Sequence, residues 1–249
     1  MRGYYKSMTT SKKIASVVNG FFPGQVFQYD QLNIKPDEFS AAVKALGRMV
    51  NDGQLRRATP GKYYKPEKTV FGELKPSEEQ LLKPYLFAGG RRIGYVTGNA
   101  LYNRMGLTTQ IANTIKVASR EKRIITKVNN LLVKPVKSYV EVTDENYSLL
   151  EILDALKDLK IISDVDKKST LQVLSQQIQK MPFVQQERLV TYGLQYPPRV
   201  RALLGAVLTK LKAGSTLTLP LTNSLNPLST YQFGITDEEL PGSAKWNIY

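Results

Sequence analysis

Between Ser11 and Tyr64 the chain sets out two helices, a short strand and a basic hairpin in an order that few folds accept. Ile14, Val17, Val18 and Phe21 recur at helical spacing behind Thr9 or Thr10 as a cap, which predicts a first helix with one apolar face. Pro23-Gly24 ends it. Val26-Phe27 is a short extended piece and Asp30 to Asn33 a very short helix. Pro36 suits the first turn of a longer helix that runs to about Asn51, with Phe39, Val43, Leu46 and Val50 inward. It stops at Asp52-Gly53, where glycine can take a left-handed conformation. Gln54 to Arg57 then reads as a strand, Thr59-Pro60-Gly61 as a tight turn and Lys62 to Lys65 as the returning strand. In that hairpin Leu55 and Tyr63 pack inward, and Arg57 and Lys62 face out.

This order is that of a winged helix-turn-helix, with Pro36 to Asn51 as the recognition helix and the hairpin as the wing. Charge agrees with it. Residues 1–137 hold 24 Lys and Arg against 9 Asp and Glu, and residues 138–249 hold 11 against 12. The whole excess of +14 therefore lies in the first half, which points to a polyanion as its partner. A basic surface kept for solubility is the blander reading. The outward positions of the recognition helix are Glu38, Ser40, Ala41, Lys44 and Arg48. Ser40 and Lys44 lie one turn apart, and Arg48 one turn further on. The expected DNA-binding residues are Ser40, Lys44 and Arg48 on the helix and Arg56, Arg57 and Lys62 on the wing. Protein contact and RNA are the alternative uses of such a module.

Several chemistries are excluded. The chain has no Cys, hence no disulfide and no thiolate metal site. It has no His, which removes Ser-His-Asp and Cys-His nucleophile systems and the commonest zinc ligand. No Walker-type phosphate loop is present; the glycines of Phe87 to Gly98 have the wrong spacing, and no Lys-Ser/Thr follows. Asp164 and Asp166 adjoin Lys167 and Lys168 and fit a helix start better than a magnesium site. A binding protein without cofactor or metal is expected, in preference to an enzyme. No apolar run approaches the ~20 residues of a membrane helix and no signal peptide opens the chain, so a cytoplasmic protein without membrane contact is the default.

Beyond residue 68 a mixed region extends to about residue 140. Ser77 can start a helix with Leu81 and Leu82 inward, and Thr97 or Asn99 can cap another that Gly106 ends. Ile111 to Ala118 and Ile124 to Val136 read as strands joined by a polar turn. Lys116, Arg120, Lys122, Arg123, Lys127, Lys134 and Lys137 make them strongly basic. That basic face is either merely solvated or a contact surface, with Lys116, Lys122, Arg123 and Lys127 as the candidate partner-binding residues. From about residue 141 four amphipathic helices follow: Tyr147 to Leu159, Lys167 to Lys180, Phe183 to Gln195, and one opened by Pro197-Pro198 and ended by Gly214. The tail from Thr216 keeps Leu219, Leu221, Leu225, Leu228, Tyr231, Phe233 and Trp246, too many apolar groups for a free tail, and is expected to lie along the domain as extended chain.

Three strings carry a family resemblance. The first is Ala45-Leu46-x-Arg48-Met49-Val50-x-x-Gly53-x-Leu55-Arg56-Arg57-x-x-x-Gly61-x-Tyr63-Tyr64. The second is Val96-Thr97-Gly98-x-Ala100-Leu101-Tyr102-Asn103-Arg104-Met105-Gly106-Leu107-Thr108-Thr109-Gln110. The third is Tyr196-Pro197-Pro198-Arg199-Val200-Arg201-Ala202-Leu203-Leu204-Gly205, followed by Ser224-Leu225-Asn226-Pro227-Leu228. On these the chain resembles the AbiEi-type antitoxins of bacterial abortive-infection (type IV toxin–antitoxin) systems, and a closely related uncharacterised family, over most of residues 10–249. The resemblance implies an α+β protein: a winged helix-turn-helix over 1–68, then a mixed α/β antitoxin domain over 69–249 with a helical C-terminal part and extended tail from 141. It implies repression of the protein's own promoter and neutralisation of a neighbouring nucleotidyltransferase-like toxin, a functional partner with or without a stable complex. It brings no catalytic residues. Two other readings stay open: a stand-alone winged-helix regulator whose second domain senses a ligand or partner, and an accessory enzyme of nucleic-acid processing.

Overall fold

The computed structural model describes residues 9–70, 72–121, 125–128, 131–162 and 166–249. The protein is mixed α+β and divides into two compact units, Met1–Arg91 and Arg92–Tyr249.

The first unit opens with α1 (Thr10–Asn19), β1 (Val26–Gln28), two 3₁₀ turns (Tyr29–Leu32 and Pro36–Glu38) and α2 (Phe39–Asn51). The hairpin β2 (Arg56–Thr59) and β3 (Lys62–Tyr64) follows, and the three strands form an antiparallel sheet in the order β1-β3-β2. Gly53 and Gly61 have φ of 72° and 74°, so glycine is needed both where α2 ends and where the hairpin turns. Thr9 holds the extended N-cap conformation of α1 but makes no side-chain capping bond. The core comprises Ile14, Val18, Phe27, Leu32, Ala42, Ala45, Leu46, Leu55 and Tyr63.

One expectation for α2 fails. Leu46 is buried and Val50 half-buried, but Phe39 is 47% and Val43 37% exposed. The helix turns Ala42 and Ala45 into the core instead. Alanine's small side chain lets α2 approach α1 closely, so the buried stripe follows backbone proximity and not residue size.

The unit continues past residue 68. β4 (Glu67–Thr69) and β5 (Gly72–Leu74) pair antiparallel. α3 (Glu78–Leu86) starts at Ser77, whose side chain accepts from the Gln80 amide, and buries Leu81, Leu82 and Tyr85. It packs on β1, which draws residues 69–91 into the first unit. β6 (Phe87–Ala88) and β7 (Arg91–Arg92) form a short ribbon.

The second unit contains β8 (Gly94–Thr97), α4 (Asn99–Arg104), β9 (Thr114–Ser119), β10 (Thr126–Val128) and β11 (Leu131–Lys137), in the sheet order β10-β11-β9-β8. β11 runs parallel to β9, and the outer pairs are antiparallel. The second basic stretch is thus two strands and not one. β10 runs against β11, which leaves β11 in the same direction as β9. Ile124 lies outside the described residues.

Five helices follow: α5 (Tyr147–Asp158), α6 (Lys167–Gln179), α7 (Phe183–Gly193), α8 (Pro198–Lys210) and α9 (Ser215–Asn223). The four expected helices are present, and Asp166 caps α6 by accepting from the Lys168 and Ser169 amides. Asp164 lies outside the described residues. α8 buries Val200 and every residue from Ala202 to Leu208, as a central helix must. α9 corrects the expectation of extended chain from Thr216. Its Leu217 and Leu221 are buried and it packs on α8 despite Pro220. Beyond it the tail does lie along the unit, burying Phe233, Ile235, Leu240, Trp246 and Ile248. Its end folds back on itself: the Tyr249 amide donates to the Tyr231 carbonyl at 3.0 Å.

Candidate nucleic-acid interface

In the first unit, α2, β2 and β3 carry the candidate cations on consecutive elements. Ser40, Lys44 and Arg48 are exposed on α2. Lys44 makes no ion pair among the described residues, so its ammonium is available to a ligand. Arg48 donates to the Ser11 hydroxyl at 2.9 Å, which ties α2 to α1 without cancelling its charge. Glu38 is held by Lys13 at 2.7 Å and also accepts from Thr10. The Lys13 hydrogen bond keeps its carboxyl below the usual carboxylate range, so this acid is already neutralised by a neighbour.

The β2–β3 hairpin departs from expectation at two of its three cations. Arg57 is exposed, and its guanidinium lies 5.8 Å from the centre of the Tyr63 ring. Arg56 is held in a two-pronged pair by Glu73 of β5, with Nε and Nη2 at 3.1 and 2.9 Å from the carboxylate oxygens. Lys62, expected to face out, is 8% exposed, with its ammonium 3.8 Å from the centre of the Tyr85 ring. The reason is α3, which brings Tyr85 against the side chain; a cation over an aromatic face keeps a favourable electrostatic partner there. Leu55 and Tyr63 pack inward as expected. The Tyr29 and Tyr63 hydroxyls lie 2.9 Å apart. Burial, and then that bond, push the Tyr29 phenol up to about 12.

In the second unit the register places Lys134 beside Lys116, and Lys127 opposite Leu132. Paired residues share a face, so Lys116, Lys127 and Lys134, each exposed, lie on one side of the sheet, the side that also carries the buried Tyr95, Thr97 and Ala118. Gly98, at φ 71°, lies beneath the Lys116 stem, and a Cβ there would come within 2.9 Å of Lys116 Cδ. Lys122 and Arg123 lie outside the described residues.

The same unit contains a buried polar cluster that sequence reading did not anticipate. Asp154 of α5 is 2% exposed. Its Oδ2 accepts from Thr97 at 2.7 Å and Tyr95 at 3.0 Å, and its Oδ1 from Lys157 at 2.9 Å and Tyr196 at 3.3 Å. Tyr102 donates to Asp158 at 2.7 Å. Thr97 thus serves Asp154, and the residue at the cap of α4 is Gly98. Burial first, and then the neighbouring carboxylates, raise the Tyr95, Tyr102 and Tyr196 phenols far above their ordinary range. Burial alone would lower Lys157, but Asp154 and Asp158 outweigh it and raise it. Such a cluster is satisfied internally, which suits it to joining β8, α4, α5 and the α7–α8 turn. The one sequence signal was the spacing of Asp154, Lys157 and Asp158 on one turn of helix.

Among the described residues no group of three or more acids is placed to hold a metal ion, and no helix is long and apolar enough to cross a membrane. No curated protein matches the chain. A model of a family of unknown function, DUF6088, matches residues 13–183, well over half of the chain and across parts of both units. On that match the chain belongs to the DUF6088 family.

Proposed function

We propose that this protein is an antitoxin and transcriptional autorepressor that binds its own promoter and neutralises a neighbouring nucleotidyltransferase-like toxin. The observation that carries the DNA-binding half is the first unit: α1, β1, a short turn, α2, then a hairpin, with sheet order β1-β3-β2. We read it as a winged helix-turn-helix with α2 in the major groove and the hairpin against the backbone. The exposed cations Lys44, Arg48 and Arg57 support that docking. The neutralising half rests on the sequence resemblance, with Lys116, Lys127 and Lys134 as the surface that would serve it.

The full chain is expected to bind the duplex upstream of its own coding sequence in preference to random DNA. Log affinity should fall with log salt by about 0.9 per phosphate neutralised. Arg57→Ala and Lys44→Ala should each flatten that slope by about one. Lys62→Ala should leave it unchanged, since that ammonium lies on Tyr85, and Arg56→Ala should flatten it by less than Arg57→Ala, since Glu73 already neutralises Arg56. Fluorescence anisotropy across a salt series measures all four. Salt-independent affinity, or no promoter preference, would sink the repressor reading.

Neutralisation is tested in cells that express the adjacent toxin. Reversing Lys116, Lys127 and Lys134 to Glu should reduce growth rescue, with no loss of promoter binding and little change in melting, because exposed charges contribute at most about 1 kcal/mol each. Equal rescue by the reversed protein would leave that face merely solvated. The gene next door separates this reading from a stand-alone regulator.

A further inference from the structure

Resting on the reading that α2 enters the major groove, we propose that Val43, with Phe39 one turn before it, reads thymine methyl groups. The motivating observation is where these side chains lie. Both were expected in the core, yet both are exposed while Ala42 and Ala45 fill the contact with α1. An exposed valine inside a helix gains nothing locally: its branched side chain loses rotamer freedom there. At 37% exposed, Val43 keeps part of its apolar surface open to a further contact.

Phe39 and Val43 lie at i and i+4 and form one apolar ridge. Phe39 leans on Tyr29, with ring centres 5.2 Å apart, which fixes its direction. Gly47 continues the same line, and a Cβ there would meet no protein atom within 4 Å, so space is open beyond Val43. A second ridge, Ser40 and Lys44, runs beside the first and is polar.

The outward side of α2 therefore offers apolar contact and hydrogen bonding in parallel, with the exposed cations Lys44 and Arg48 on the same helix and Glu38 already paired to Lys13. A flanking set of cations favours a polyanion over an apolar protein face. In the major groove only thymine presents an apolar group, its C5 methyl, among the donors and acceptors of the other base edges. A valine between Ser40 and Lys44 matches that pattern.

The test uses the full chain and two duplexes of the same upstream sequence, one with every thymine replaced by uracil, which deletes the methyl groups alone. The uracil duplex should bind the native protein more weakly by about fourfold for each methyl buried. Val43→Ala should bind the thymine duplex more weakly and distinguish the two duplexes less. Lys44→Ala, a control, should weaken both while keeping the native ratio between them. Circular dichroism checks that Val43→Ala keeps its helix content. If the native protein binds both duplexes equally, with normal salt dependence, the methyl-reading role is overturned while the DNA-binding reading stands. If it binds neither, that reading fails and takes this inference with it. If Val43→Ala alters sedimentation and not the thymine-to-uracil ratio, the ridge belongs to a second copy of the chain and the proposal is overturned.

Discussion

Replacing Asp154 by alanine should destabilise the second unit by about 3–5 kcal/mol, the usual cost of removing one member of a buried ion pair. The substitution leaves Asp158, at 3.9 Å, as the remaining ion-pair partner of Lys157 among the described residues, and takes the acceptor from Tyr95, Thr97 and Tyr196. Tyr95, Thr97 and Tyr196 are all buried, so each loses its bond to the carboxylate at the desolvation cost of an unsatisfied donor. Asp154→Asn should cost less, because the amide keeps one acceptor oxygen, but it also turns a donor toward a donor. The single tryptophan, Trp246, lies in this unit and reports its urea unfolding by fluorescence. A loss under about 1 kcal/mol would show that the cluster is not what joins these elements.

The same cluster gives a pH dependence of definite sign. Lys157 and the three phenols all hold their protons more tightly in the folded state than their ordinary values allow. Above about pH 10 the unfolded chain releases those protons while the folded chain retains them. Their contribution is therefore fully present below the ordinary lysine and tyrosine range and is lost as pH rises beyond it. The second unit should weaken in alkaline solution before the folded phenols ionise.

The second large effect is expected at the contact between α8 and the tail. Trp246 Nε1 donates to Thr209 at 2.9 Å, and the ring lies directly over Gly205. Trp246→Ala should cost about 3–5 kcal/mol, by cavity formation and lost burial. Gly205→Ala makes the complementary test. Alanine in a helix interior ordinarily stabilises by about 1 kcal/mol relative to glycine. Here the new methyl would overlap the Trp246 ring, and overpacking costs about 1–3 kcal/mol or more. The sign should therefore reverse: Gly205→Ala destabilises the native protein but becomes neutral or stabilising beside Trp246→Ala. Thermal unfolding followed by circular dichroism gives all four corners of that cycle. Additive effects would mean that the tail does not lie against α8.

What the sequence determined by itself is local. The helices themselves, the cap at Asp166 and the breaks at Gly53 and Gly61 depend on neighbours within a turn or two, and those elements formed where the spacing put them, although α2 buries a different stripe. The inward pair Leu55 and Tyr63 was legible from apolar character, but strict alternation was not: Leu55 lies just before β2, and Lys62, next to Tyr63, is buried as well. Tertiary structure decided the rest. Lys62 is buried because α3, some 20 residues downstream, brings Tyr85 to it, and Arg56 is neutralised because β5 presents Glu73. Phe39 and Val43 are exposed because α2 turns its alanine face into the core, a choice that residue hydrophobicity alone ranks the other way. The parallel pairing of β9 with β11 and the Asp154 cluster join residues dozens of positions apart. A periodic pattern states which face of an element is apolar; it does not state which element will cover that face, or which charges the covering element brings with it.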